Sequence, residues 1–212
     1  MGLLSELQCD YENLSTFSIN NKIEDNYIFN EIGKLDKKYR NLDEHFNSIE
    51  GLICNIGKDQ KSIRILNYAI KRLKDKKDKL NSNKYHYDLG NSIYSKALLG
   101  IEIDNKITSF FNFHNVIQEA KINFCKVRKD KTILYEKALT NLSNIYSIYG
   151  RNYEAINLYS EVLKSNPKFG IALGQKAISI AEYTVLAPQQ SFLLLNTAYN
   201  LLKSALNYKH LT

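Results

Sequence analysis

Between Leu139 and Pro167 the apolar residues fall into two sets. Leu139, Leu142 and Tyr146 form the first, Ala155, Tyr159 and Val162 the second, and Tyr149-Gly150-Arg151-Asn152 separates them. Spacings of three and four residues put each set on one face of an α-helix, and the glycine marks the break between them. A segment written this way predicts two short antiparallel helices that bury their faces on each other. Pro167 then closes the second helix, because proline cannot continue one.

The same periodicity runs through the rest of the chain less regularly. In residues 43–76 the set is Phe46, Ile49, Ile53, Leu66 and Ala69, with a turn expected at Asn55-Ile56-Gly57-Lys58-Asp59 and Ser62 at the helix crossing. Residues 83–135 open with Leu89-Gly90 and Ile93 and continue at Ala120, Phe124 and Val127, leaving an insertion from Gly100 to Asn115 that reads either as helix extension or as a loop. Its aromatic residues, Phe110, Phe111 and Phe113, are candidates for core or for a surface contact. Residues 170–208 carry Leu173, Ala177 and Ile180, then Ala198, Leu202 and Ala205 after an insertion around Leu186-Ala187-Pro188-Gln189-Gln190. Residues 1–42 have helical patterns of another kind, Leu3, Leu4 and Leu7 and then Ile23, Tyr27, Ile28, Ile32 and Leu35, and read as an N-terminal helical cap. Stacked helix pairs need capped ends. The last residues, Leu211-Thr212, bring no polar capping helix, so this end is expected to continue into further chain or to be covered by a partner.

The segment 136–169, EKALTNLSNIYSIYGRNYEAINLYSEVLKSNPKF, resembles the tetratricopeptide repeat, a helix–turn–helix with large apolar residues early, small residues at the crossing and a closing proline. The likeness extends over about 43–208. It implies an all-α fold: a superhelix of about four degenerate helical hairpins (43–76, 83–135, 136–169 and 170–208), an α-solenoid behind its cap. It also implies a non-catalytic protein- or peptide-binding scaffold that uses a concave surface. The residues facing that surface are here Lys84, Tyr87, Asn91 and Tyr94, and then Lys137, Thr140, Asn144 and Ser147 with Asn141 beside them. A side-chain amide donates to and accepts from an extended backbone at once, so Asn91 and Asn144 are the candidates to grip a peptide. The phrase from Gly150 to Lys176 is similar to bacterial repeat proteins of defence systems whose array precedes a C-terminal HEPN-type ribonuclease domain. That likeness implies a sensing or scaffolding half.

Composition narrows the function. Of the 29 Lys and Arg, ten fall between Lys58 and Lys84 against three Asp, leaving 19 of each sign elsewhere. Lys71, Arg72, Lys74, Lys76, Lys77 and Lys79 therefore read either as a solvated helix end or as a phosphate-contacting patch for nucleic acid, the second-ranked partner. Glycine-rich phosphate loops, a nucleophile elbow and His or Cys pairs at metal spacing do not occur in the sequence, so no cofactor and no metal is expected. Arg40-Asn41-Leu42-Asp43-Glu44-His45 has the Arg-Asn-spacer-His form of the HEPN ribonuclease motif, and a metal-independent ribonuclease built on Arg40 and His45 is the alternative to the binding module. Cys9, Cys54 and Cys125 are too dispersed for a disulfide framework. With no apolar run long enough to span a bilayer and no signal-like N-terminus, the expected location is the cytoplasm, away from membranes.

Overall fold

The computed structural model describes residues 3–21, 24–39, 49–77, 81–103, 107–130 and 133–208. Arg40 to His45, Phe46 and Lys79, singled out above, lie outside them. The described residues form ten α-helices packed sequentially as adjacent pairs: α1 Leu3–Asn21, α2 Asp25–Lys38, α3 Ile49–Asp59, α4 Ile63–Asp75, α5 Ser82–Ile103, α6 Ile107–Lys126, α7 Leu134–Ile148, α8 Asn152–Ser165, α9 Gly170–Tyr183 and α10 Ser191–Asn207. A short 3-10 turn, Pro188–Gln190, leads into α10. The chain divides into two compact units, Met1–Asn123 and Phe124–Thr212, and the division falls inside α6.

In the first unit α1 packs on α2 and α3, α3 on α4, and α5 on both α3 and α4. The 3–4 spacing explains the core: Leu7 and Tyr11 of α1, Ile28 and Ile32 of α2, Ile49, Ile53 and Ile56 of α3, and Ile65, Leu66 and Ala69 of α4 are all buried in one cluster. The described residues of the insertion after Gly100 are helical, since α5 runs to Ile103 and α6 starts at Ile107. Ala120, Phe124 and Val127 are buried, and so is Phe113.

The turn between α3 and α4 differs from the expected one. Asn55 to Asp59 are helical, and the break comes at Gln60-Lys61, where Lys61 has φ +50°. Gly57 is buried inside α3 instead, and a Cβ there would lie 3.0 Å from Leu66, so its missing side chain lets α4 approach. Ser62 is not at the crossing either. It caps α4, its Oγ accepting from Ile65 N at 3.1 Å.

In the second unit α7 packs on α8, α8 on α9, and α9 on α10. Ala155, Tyr159 and Val162 of α8 are fully buried, and Gly150 has φ +71°. Arg151 N donates to Tyr146 O at 2.9 Å and Gly150 N to Ser147 O at 2.8 Å, which is the Schellman pattern that ends a helix on a left-handed residue. The α3–α4 turn makes the same two bonds, Ser62 N to Gly57 O at 2.8 Å and Lys61 N to Lys58 O at 3.1 Å. Lys61 thus occupies in one hairpin the place that Gly150 occupies in the other.

The α9–α10 pair is joined through small residues. A Cβ on Gly170 would lie 3.0 Å from the carbonyl oxygen of Tyr208, and one on Gly174 would lie 3.9 Å from Ala205 Cβ. Ala177, Ile180 and Ala198 are the buried residues of this contact. Leu202, expected in the core with Ala198 and Ala205, is instead exposed, because Leu194, Ala198 and Leu201 take the inward side of α10.

Candidate functional site

The basic residues of α4 are distributed between two environments. Arg72 turns inward, with its guanidinium 2.8 Å from Asp36 on α2 and 3.3 Å from Glu50 on α3, and Lys76 Nζ lies 3.0 Å from the same Glu50. Asp36 is also met by two phenols, Tyr11 of α1 at 2.7 Å and Tyr68 of α4. Burial and the charge of Asp36 raise the Tyr11 pKa well above the usual tyrosine range. Glu50 is completely buried. Charge-assisted bonds of this kind tie α1, α2, α3 and α4 together, and breaking one partner leaves an unpaired charge in the interior. Lys74 is exposed and paired with Glu119 of α6 at 3.1 Å, while Lys71 and Lys77 are exposed. The six cations of the nucleic-acid reading therefore do not share one surface: two are internal, one is paired, two face solvent, and Lys79 lies outside the described residues.

On α5, Lys84 Nζ lies 2.6 Å from Asp88, whose side chain is only 4 % exposed. Burial pushes the Asp88 carboxyl up to about 6, the nearby charge of Glu50 adding to the rise while Lys84 opposes it. Tyr87 and Tyr94 are half-buried, and burial raises the Tyr87 phenol. Asn91 is half-buried, its amide nitrogen 3.9 Å from Cys54 Sγ. On α7, Thr140 is buried and its hydroxyl donates to Glu136 O of its own helix at 2.8 Å. Asn144 accepts from the Tyr159 hydroxyl of α8. Ser147 Oγ donates to Asn152 at 3.1 Å, and Ser179 of α9 donates to Ser147, also at 3.1 Å. Lys137 and Asn141 are half-buried. Asn91 and Asn144, expected on equivalent faces, belong to different units, and each points its amide at a neighbouring helix of its own unit. Much of the polar character that the sequence offered to a peptide is used between helices.

Two other features emerge. A polar cleft of about 460 Å³ lies between α1 and α3, lined by Tyr11, Glu12, Ser15, Thr16, Leu52, Asn55, Lys58 and Asp59. Within it Ser15 donates to Asp59 at 3.2 Å. Among the described residues no group of three His, Cys, Asp or Glu side chains could hold a metal ion, and no helix is long and apolar enough to cross a membrane.

The second feature is α10. Phe192, Leu195, Tyr199, Leu202 and Leu206 are 86 %, 49 %, 63 %, 43 % and 71 % exposed. Their spacing of three, four, three and four residues is an apolar heptad seam running the length of the helix. Leu193 of α10, and Val185 and Leu186 in the turn before it, add to the exposed apolar surface. Scattered single hydrophobics are ordinary on a protein surface, but a contiguous apolar patch signals an interaction site. The pattern is present in the sequence, where α10 reads SFLLLNTAYNLLKSALN. What sequence reasoning missed is which stripe faces in, and the small residues of α9 held that signal. Gly174 lies against Ala205 and Gly170 against the Tyr208 carbonyl, and Leu194, Ala198 and Leu201 pack on Ala177 and Ile180, so this stripe of α10 faces in and the seam stays outside.

No protein-family model, no curated protein and no solved structure matches this chain.

Proposed function

We propose that this chain is a non-catalytic protein-binding module, a tetratricopeptide-like array of helix pairs whose binding face is the apolar seam of α10. The observation that carries this reading is a helix apolar on both sides: Leu194, Ala198 and Leu201 are turned inward, and its phenylalanine, tyrosine and three seam leucines face solvent. Burying such a surface against a partner is favourable by about 25 cal/mol per Å² of apolar area removed from water. The repeat likeness adds to this, since arrays of helix pairs offer extended surfaces to segments of partner. The common Schellman turn of the α3–α4 and α7–α8 hairpins supports their being degenerate copies of one unit. Free thiols at Cys9, Cys54 and Cys125 suit a reducing compartment, in keeping with a cytoplasmic module.

The reading is tested by affinity capture with the full chain, comparing wild type with the double variant Tyr199→Glu/Leu206→Glu and with Lys137→Glu/Asn141→Ala on α7. Bound proteins should be lost from the α10 variant and retained by the α7 variant. Retention by the α10 variant and loss from the α7 variant would return the binding face to the polar surface.

A further inference from the structure

Resting on the reading of α10 as a binding face, we infer that its occupant is a second copy of this chain, docked α10 against α10 as a two-fold helix pair. Three observations on the seam select this partner. The first is periodicity. Apolar residues at 192, 195, 199, 202 and 206 make a ridge that fits a helix with the same 3–4 repeat, and α10 is itself such a helix. An extended peptide turns only alternate side chains of its own toward such a ridge.

The second is area. With side-chain surfaces of roughly 150–250 Å² each, the five seam residues expose on the order of 600 Å² per copy, and Leu193, Val185 and Leu186 bring this to roughly 1,000 Å². Covering all of it, two copies bury at most about 1,200–2,000 Å², which reaches the range of specific stable interfaces. A two-fold interface must be self-complementary, each copy offering the same patch.

The third is charge. Lys203 is the single charged residue of α10, and it stands beside the seam rather than in it. Two copies therefore approach without facing rows of like charge. A helix that lies on anionic lipid carries several cations along its polar face, and α10 does not. A charged protein partner would likewise find nothing on the seam to pair with.

Sedimentation equilibrium of the full chain between about 1 and 100 µM tests this. The wild type should be a dimer in the upper part of that range, since interfaces of this size bind at micromolar or tighter. Tyr199→Glu/Leu206→Glu should weaken dimerisation by about a hundredfold or more, as hot-spot removal does. Ile122→Glu, an equally drastic change at an exposed residue of α6, should leave it intact. Circular dichroism at the lowest concentration checks that the variants are folded. Tyr199→Ser/Leu206→Ser, which removes area without adding charge, replaces the glutamates if they are not. A wild type that stays monomeric at 100 µM, or a dimer indifferent to the seam variants, overturns the second copy as occupant. A monomer whose captured partners are still lost from the seam variant retains the binding reading while refuting this one.

Discussion

Raising the pH from 4 to 7 strips a proton from Asp88 while the carboxyl is still inside the fold. Its pKa rises from the ordinary 3.8 to about 6, chiefly through burial, with Glu50 on α3 adding to the rise and Lys84 on its own helix opposing it. The folded chain holds this proton more tightly than the unfolded chain. Stability from the neutral carboxyl is therefore complete below about pH 3.8 and is lost as the pH climbs through about 6. Two units at 1.36 kcal/mol each make the loss about 3 kcal/mol. The side chain is 4 % exposed, so solvent screening takes little from that figure. Asp88→Asn keeps a neutral group of the same shape. Urea unfolding followed by circular dichroism at pH 4, 5, 6 and 7 should find variant and wild type within about 0.5 kcal/mol at pH 4 and the variant about 3 kcal/mol more stable at pH 7. The comparison between the two proteins cancels the other carboxylates, among them Asp10 and Glu154, whose depressed pKa values act in the opposite sense. A wild type more stable than Asp88→Asn at pH 7 would mean that the Lys84 pair outweighs burial, and the reasoning would fail.

Arg72→Ala leaves Asp36 without its cation and the fully buried Glu50 with Lys76 alone, and should cost about 3–5 kcal/mol, whereas Lys71→Glu, at an exposed position of the same helix, should change the unfolding midpoint little. Lys61→Gly should stabilise the chain by about 1 kcal/mol, because φ +50° costs a residue with a Cβ and suits glycine; a loss of stability would contradict the Schellman assignment. Asn144→Ala removes the acceptor of the Tyr159 hydroxyl at a buried hairpin contact and should lower stability by about 1–3 kcal/mol, and an unchanged melting temperature would show the amide to be unneeded there. Ala155→Leu, at a fully buried crossing, should cost about 1–3 kcal/mol by overpacking, read from the same unfolding curves.

The helix pairs were legible because burial imposes 3–4 spacing wherever two helices meet. Leu139, Leu142, Ala155, Tyr159 and Val162 carry that spacing and are all buried. The α3–α4 turn was misplaced because glycine has two uses. At position 150 it takes the left-handed turn conformation, while at 57 it makes room for Leu66, and the left-handed role passes to Lys61. Nothing local in Lys61 announces this, since it follows from how α3 must end to let Ser62 cap α4. The site was less legible than the fold. Polar residues such as Asn144, Ser147 and Arg72 have the same letters whether they face a ligand or a neighbouring helix, and only tertiary packing decides. For α10 the apolar letters were plain, but both of its stripes are hydrophobic. The choice between them comes from the small residues of α9, which let Ala198 and Ala205 approach closely with Leu194 and Leu201 half-buried beside them.

On this reading α10, and not the polar faces of α5 and α7, is where the chain meets protein. A photoreactive amino acid is placed singly at Tyr199 and at Asn141 of the full chain and irradiated in the cells that make it. A protein adduct is expected from position 199, at the mass of two copies, and none from position 141. Adducts from position 141 with none from 199 would contradict it.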